Sequence, residues 1–319
     1  MLWWLGRIAH TNRIHSCALE VTDFTQKQPF GCAQNRENLT SRRKTVKHPQ
    51  TNKGILTMAD LLKGKRGLIM GVANERSIAW GIARSCAAEG AELAFTYQGE
   101  AFGKRLAPLA ATVGSDTMVD VDVTNPEQMD AAFAALKDKW GTLDFVVHAI
   151  AYSDKNELTG RIRDTTVENF KNSMHISCFS FIDVAKRAAE LMPDGGSLIT
   201  LTYGGSNRVT PNYNVMGVAK AALESAVRYL ANDLGPQGIR VNAVSPGPMK
   251  TLAGAAIGGA RRTYRFAEEN APLRSNATLD AVGATAVYLN SDGGAYTTGE
   301  IIRVDGGFHT IGMPQVENL

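Results

Sequence analysis

The chain has only four cysteines in 319 residues, Cys17, Cys32, Cys86 and Cys178, and none stands in a CxxC pair or at zinc-ligand spacing. That excludes a disulfide scaffold and points to reduced, mostly buried thiols in a reducing compartment. No group of His, Cys, Asp and Glu has metal-binding spacing, so no metal is expected. No apolar run approaches the ~20 residues that a bilayer-spanning helix needs, and no membrane is expected as a partner. The net charge of +3 is unevenly spread. Residues 1–57 hold nine Lys or Arg against three acids, which leaves residues 58–319 with 25 of the 34 bases and 28 of the 31 acids. The larger part is mildly acidic, and nothing electrostatic recommends nucleic acid as its partner.

Residues 1–57 also lack periodicity. Strand alternation is absent, and SRRKTVKHPQTNKG is basic and turn-prone. Three readings stand: a non-native extension ahead of a natural start at Met58, an organelle-targeting peptide opened by the apolar MLWWLGRIAH, or a disordered interaction arm. None places catalysis there.

From residue 65 the pattern alternates. Strands are predicted at 66–71, 92–97, 117–121, 143–149, 196–201, 239–244 and 300–304. Helices are predicted at 78–88, after the second strand through 109, at 126–140, at 167–191, after Tyr213, and at 279–289. The strands are near-continuous apolar runs, as a sheet covered on both faces requires. Strands separated by helices of this length imply right-handed crossovers. The expected fold is therefore α/β: one domain, 58–319, with a doubly wound parallel seven-stranded sheet of Rossmann type.

After the first strand comes GVANERSIAWG, from Gly71 to Gly81. It is not GxGxxG, because Ser77 and Ala79 stand where glycines usually do. A strand-to-helix loop of this kind can still turn amide N–H groups and a positive helix end towards a pyrophosphate; a plain structural turn is the alternative. The second strand ends in Tyr97-Gln98-Gly99-Glu100, where an adenosine ribose would lie. Gln98 can donate to that ribose. No Lys or Arg follows at once to neutralise a 2′-phosphate, and Glu100 would repel one, which favours NADH over NADPH. Asp122 and Val123 at the end of the third strand suit an adenine amino group and ring; a strand-end turn is the alternative for Asp122.

The stretch PNYNVMGVAKAALESAVRYLANDL places Tyr213 seven residues before Lys220. Seven residues are about two helical turns, so both side chains are expected on one face of one helix. A phenol and an ammonium side by side can polarise a carbonyl or enolate oxygen and grip a cofactor sugar. Tyr203 stands ten residues earlier. His148, His175 and His309 read as packing or strand-end histidines. The segment 254–270 is small-residue-rich and then basic and aromatic, a composition that permits a lid.

The layout resembles the short-chain dehydrogenase/reductase superfamily but departs from its majority Tyr-x-x-x-Lys pattern, since Gly217 occupies the fourth place after Tyr213. The set Tyr203, Tyr213 and Lys220, with GVANERSIAWGIA, AELAFTYQ, PNYNVMGVAKA, RVNAVSPGP, TLAGAAI and DGGF, closely resembles the bacterial NADH-dependent enoyl-acyl-carrier-protein reductases over about 58–319. The resemblance implies reduction of a trans-2-enoyl thioester on acyl carrier protein by NADH. It implies that Gly71, Ser77 and Ile78 line the pyrophosphate loop, that Gln98, Asp122 and Val123 hold the adenosine half, and that Ile150 packs by the nicotinamide. Lys220 would bind the nicotinamide ribose. Met249, Thr251, Leu252 and Ala253 would border the nicotinamide and acyl chain, with Met249 and Pro246 replacing a frequent Ile and Ala. Tyr213 would be the donor to the thioester oxygen. Tyr203 would shape the pocket, bind the thioester, or only pack. Arg261 and Arg262 would meet the carrier protein. Relatives are commonly cytoplasmic homotetramers; a targeting role for 1–57 would make this copy organellar. A ketone or alcohol reductase of the same superfamily and a non-catalytic dinucleotide sensor are the alternatives.

Overall fold

The computed structural model describes residues 60–255 and 257–319. The expectations for residues 1–57, including Cys17 and Cys32, lie outside the described residues.

Seven strands form one parallel sheet: β1 (Arg66–Met70), β2 (Glu92–Tyr97), β3 (Thr117–Asp120), β4 (Phe145–His148), β5 (Gly196–Leu201), β6 (Ile239–Pro246) and β7 (Ile301–Val304). Their spatial order is β3-β2-β1-β4-β5-β6-β7. The chain winds outwards from β1 to β3, then returns to place β4 on the other side of β1, with Met70 paired to His148. The crevice at the carboxyl ends of β1 and β4 is thus the topological switch point, where such sheets bind ligands.

Alternate residues of each strand serve opposite faces, because side chains reverse along a strand. Leu68, Val146, Leu198 and Val241 pack under α3 (Pro126–Trp140), α6 (Ser180–Glu190) and α7 (Asn214–Leu234), against Met129, Phe181 and Leu223. On the other face, Ile69, Val147, Ile199 and Val244 meet α1 (Ile78–Ala88), α2 (Glu100–Thr112) and α10 (Leu279–Asn290), against Ile82, Leu106 and Val282. Side chains cap the starts of α3 and α10: Asn125 accepts from the Gln128 amide at 3.1 Å, with Pro126 at the first turn, and Thr278 from the Ala281 amide at 3.1 Å.

Two elements differ from their predicted form. The helix over 167–191 is α5 (Val167–Met174) and α6 joined by a π-helical turn at His175–Phe179. Polar side chains intrude there: Ser177 Oγ takes the Tyr152 amide and donates to its carbonyl, each at 3.0 Å, and Ser180 Oγ donates to the Ile176 carbonyl at 2.6 Å. The segment after β6 forms α8 (Leu252–Ala255) and α9 (Ala260–Asn270). The remaining short helix α4 (Lys155–Leu158) follows β4. Among the described residues, no helix is long and apolar enough to cross a membrane.

Candidate active site

The β1–α1 loop passes so close to the end of β4 that only glycine fits at its start. Gly71 has φ 96°, and a Cβ there would lie 2.2 Å from the Ala149 carbonyl oxygen. Ser77 lies in this loop, as the resemblance implies, and also shapes it. It is 8% exposed, and its Oγ accepts from the amides of Ala73 at 3.0 Å and Asn74 at 3.1 Å, tying the loop to the start of α1. The amides at the head of α1, Ile78 and Ala79, precede any possible intrahelical acceptor and carry the helix's positive end. These features fit a pyrophosphate, and the Ser77 hydroxyl keeps its own hydrogen free to donate to one.

The adenosine end is a hydrogen-bonded set along an open groove lined by Gln98, Gly99, Asp120, Asp122 and Gln128. Gln98 Nε2 donates to Asp122 Oδ2 at 2.9 Å, while Asp122 Oδ1 takes the Thr124 amide at 2.8 Å and its hydroxyl at 2.7 Å. Burial pushes the Asp122 carboxyl up, but the hydrogen bonds from Thr124 and Gln98 and the nearby His175 outweigh it and hold it below the usual range. Val123 is buried beside it. Asp120 is a groove residue that the sequence reading missed; it accepts from the Gly99 amide at 2.7 Å. Its place at the end of β3, two residues before Asp122, was the available signal. Glu100 is engaged with Lys104 at 2.6 Å, on the exposed face of α2.

At the other end, Ile150 is half-buried just after β4. Tyr203, Tyr213 and Lys220 converge on the carboxyl end of β5. Lys220 is 5% exposed and its Nζ donates to the carbonyl of Leu201 at 2.7 Å. Burial pushes its ammonium down to about 8, opposed by Cys178 and Glu224. The rings of Tyr203 and Tyr213 meet edge-on with centroids 5.2 Å apart. Burial, then Tyr203 and Glu224, push the Tyr213 phenol well above its ordinary range, so it is held neutral as a hydrogen-bond donor. Its hydroxyl has no partner among the described residues, yet it is not among the sealed, unpaired polar atoms.

The geometry that aims Tyr213 is not the expected one. Tyr213 caps α7 from outside, between two asparagines of positive φ, Asn212 at 59° and Asn214 at 34°. A left-handed residue between them means that Tyr213 and Lys220 do not share one continuous helical face. Each asparagine is held from afar: Asn212 Nδ2 donates to the Gly258 carbonyl at 2.7 Å, and Asn214 Nδ2 to that of Leu158 at 3.0 Å. Gly205 completes the seat, because a Cβ there would fall 2.4 Å from the Tyr213 ring. Leu158, Val215, Met216 and Ile257 pack around the tyrosine pair and form an apolar wall. Gly205, Glu224 and the two asparagines were not singled out in sequence. Glu224, one turn beyond Lys220, accepts from Thr202 Oγ1 at 2.7 Å.

His148 is a satisfied core residue, as expected. It is fully buried between Thr200 Oγ1 at 3.1 Å and Ser180 Oγ at 2.9 Å, and burial, then Lys220, push it down to about 3. His309 lies against Asp305 at 3.0 Å, and His175 packs on Phe179. Met249 is half-buried against the second core layer. Thr251 Oγ1 caps α8 by accepting from the Gly254 amide at 3.0 Å, while Leu252 and Ala253 are exposed. Arg261 and Arg262 are exposed on α9 and make no ion pair among the described residues.

Known proteins are similar to this chain in sequence and fold. A family model described as enoyl-(acyl carrier protein) reductase matches residues 71–309. The enoyl-[acyl-carrier-protein] reductase [NADH] 2 of Rhizobium meliloti is 61% identical over 262 residues, 82% of this chain and 98% of that protein. The FabI enoyl-[acyl-carrier-protein] reductase [NADH] of Rickettsia bellii is 52% identical over 256 residues, 80% of this chain and 98% of that one. Among solved structures, the reductase of Anaplasma phagocytophilum in complex with NAD matches with a TM-score of 0.79 at 53% identity, covering 81% of this chain and 98% of the other. FabI of Candidatus Liberibacter asiaticus matches with a TM-score of 0.80 at 55% identity, over 81% of this chain and 100% of the other.

Proposed function

The chain belongs to the enoyl-acyl-carrier-protein reductase family, and from that premise we propose that residues 58–319 form the reductase domain, with Tyr213 as the donor and Lys220 as the cofactor-side cation. The protein reduces the trans-2 double bond of an enoyl-acyl-carrier-protein thioester with NADH, the last reductive step of fatty acid elongation.

Gly71, the amides of Ile78 and Ala79, Gln98, Asp122 and Val123 would hold NADH, with Ile150, Met249 and Thr251 beside the nicotinamide. When bound, the cofactor supplies a hydride to the β-carbon of the enoyl thioester. Negative charge then gathers on the thioester oxygen, so a donor waiting there stabilises the transition state more than the ground state. Tyr213 suits that task because its buried phenol stays neutral and its hydroxyl has no competing partner among the described residues. Lys220 keeps two N–H groups beyond the one on Leu201 for ribose hydroxyls. Tyr203 braces the Tyr213 ring and borders the thioester, with Leu252 and Ala253 on the acyl side. A ketone or alcohol reductase would place its lysine four residues after the tyrosine, where Gly217 stands. A cofactor sensor would have no use for the seated tyrosine pair.

The unpaired guanidinium groups of Arg261 and Arg262 suit an acidic carrier protein. Exposed apolar side chains on α5, the π-helical turn and α6 (Val167, Phe170, Phe179, Ile182) and on or after α10 (Tyr288, Tyr296) support a homotetramer. This reading places the protein in the cytoplasm, or in an organelle if residues 1–57 act as a targeting peptide.

The observation that carries this reading is the buried phenol of Tyr213, braced by Tyr203 and seated by Gly205. In a spectrophotometric assay with a crotonyl thioester, NADH oxidation should fall roughly 10²–10³-fold in Tyr213→Phe, with NADH affinity kept. Equal rates in variant and wild type would refute the donor assignment.

A further inference from the structure

Residues 308–319 follow β7 and run between two elements that border the acyl end of the site. The first is the loop from Tyr203 to Tyr213. At its middle, the Arg208 guanidinium donates to the carbonyl of Ile311 at 3.4 Å and to that of His309. The second is α9, which follows Ile257, a residue packed against the cluster of Leu158, Tyr203 and Tyr213. Its last residue, Asn270, is 1% exposed. Asn270 Oδ1 accepts from the Gln315 amide at 2.8 Å and from Asn318 Nδ2 at 3.2 Å, and its carbonyl accepts from Gln315 Nε2 at 3.0 Å. Asn318 Nδ2 also donates to the Glu269 carbonyl at 3.1 Å, and Glu317 meets Arg274 at 3.2 Å. Phe308 packs edge-on against Phe266 of α9 with centroids 6.0 Å apart.

Every hydrogen bond or ion pair that residues 311–319 make with described residues outside 308–319 falls on Arg208 or within 269–274. None reaches the cofactor half. A helix end can satisfy itself with water or a local cap. Here a buried amide depends on chain 45 residues away, and such a group is costly to leave unpaired.

We propose that 308–319 is a positioning strap for the acyl-binding wall, anchored on Arg208 and Asn270. It holds the Tyr203 loop and α9 at a fixed separation and so sets the fit of the acyl chain. Arg208 and Asn270 are positioning residues that act through the strap, with no contact to the reacting atoms. This rests on the enoyl-reductase reading of the site.

The test compares wild type with Gln315→Ala/Asn318→Ala, which leaves only the Gln315 backbone N–H on Asn270, and with Arg208→Ala. Steady-state rates are measured with trans-2-octenoyl-acyl carrier protein and with a crotonyl thioester, and the NADH dissociation constant by fluorescence quenching. The strap predicts that KM for the octenoyl substrate rises roughly 10-fold, as expected for a displaced binding wall. The crotonyl KM rises less, the NADH constant stays put, and Arg208→Lys recovers part of the loss. An unchanged octenoyl KM overturns the proposal. So does a loss of NADH affinity in step with it, which would mark the segment as general scaffold. Failure of the underlying reading shows separately, as a wild-type protein that oxidises NADH with neither thioester.

Discussion

Replacing Lys220 with methionine should make the cofactor-free protein more stable while destroying its catalysis. The ammonium is 5% exposed and has one hydrogen bond, to the Leu201 carbonyl at 2.7 Å. Its fall from 10.5 to about 8 corresponds to about 3 kcal/mol of penalty for burying the charged form. Methionine keeps the length and apolar stem without the charge, but it leaves that carbonyl without its donor, a loss of about 1 kcal/mol. The net gain at pH 7 is about 2 kcal/mol, which for a domain of this size raises Tm by roughly 4–8 °C. The sign of the pH dependence follows from linkage. The unfolded lysine keeps its proton up to about 10.5 and the folded one only to about 8, so between these values the unfolded chain binds more protons and wild-type stability rises with pH. At pH 10 the remaining penalty is about 1 kcal/mol, matching the lost hydrogen bond, and the gap between the two proteins should close. Differential scanning calorimetry of both cofactor-free proteins at pH 7 and pH 10, with NADH oxidation followed in parallel, reads all of this. A variant less stable than wild type at pH 7, or a gap that does not change with pH, would refute the picture of a buried, strained ammonium.

Gly205→Ala should drive a methyl into the Tyr213 ring, since the Cβ position lies 2.4 Å from it. The expected result is a loss in kcat approaching that of Tyr213→Phe, with NADH binding intact by fluorescence titration; a wild-type kcat would show that the seat is not needed. A chain begun at Met58 should match the full-length protein in kcat and KM, and a large loss on this truncation would assign residues 1–57 a part in the reaction.

The order of strands and helices was legible because the code behind it is local. Apolar runs of strand length, 3.6-residue periodicity and caps such as Asn125-Pro126 need no tertiary context, and Ile78–Ala88, Glu92–Tyr97 and Pro126–Trp140 have the predicted limits. The residues of the site were legible as types. Their duties were less so. Ser77 was legible as a loop residue, but not that its hydroxyl oxygen would tie the loop by accepting from the amides of Ala73 and Asn74. The π-helical turn at His175–Phe179 was invisible because its cause is Tyr152, brought from another segment to Ser177.

The sequence alone determined the doubly wound sheet and the identity of the phenol and the amine, because these depend on composition and spacing along the chain. Only the tertiary structure decided how the phenol is aimed. Asn212 and Asn214 adopt left-handed backbone because carbonyls 46 and 56 residues away hold their side chains, and Gly205 opens the space for the ring from a separate turn. A strained conformation persists only where distant parts of the fold converge to enforce it, and that convergence is not written in any local pattern of residues.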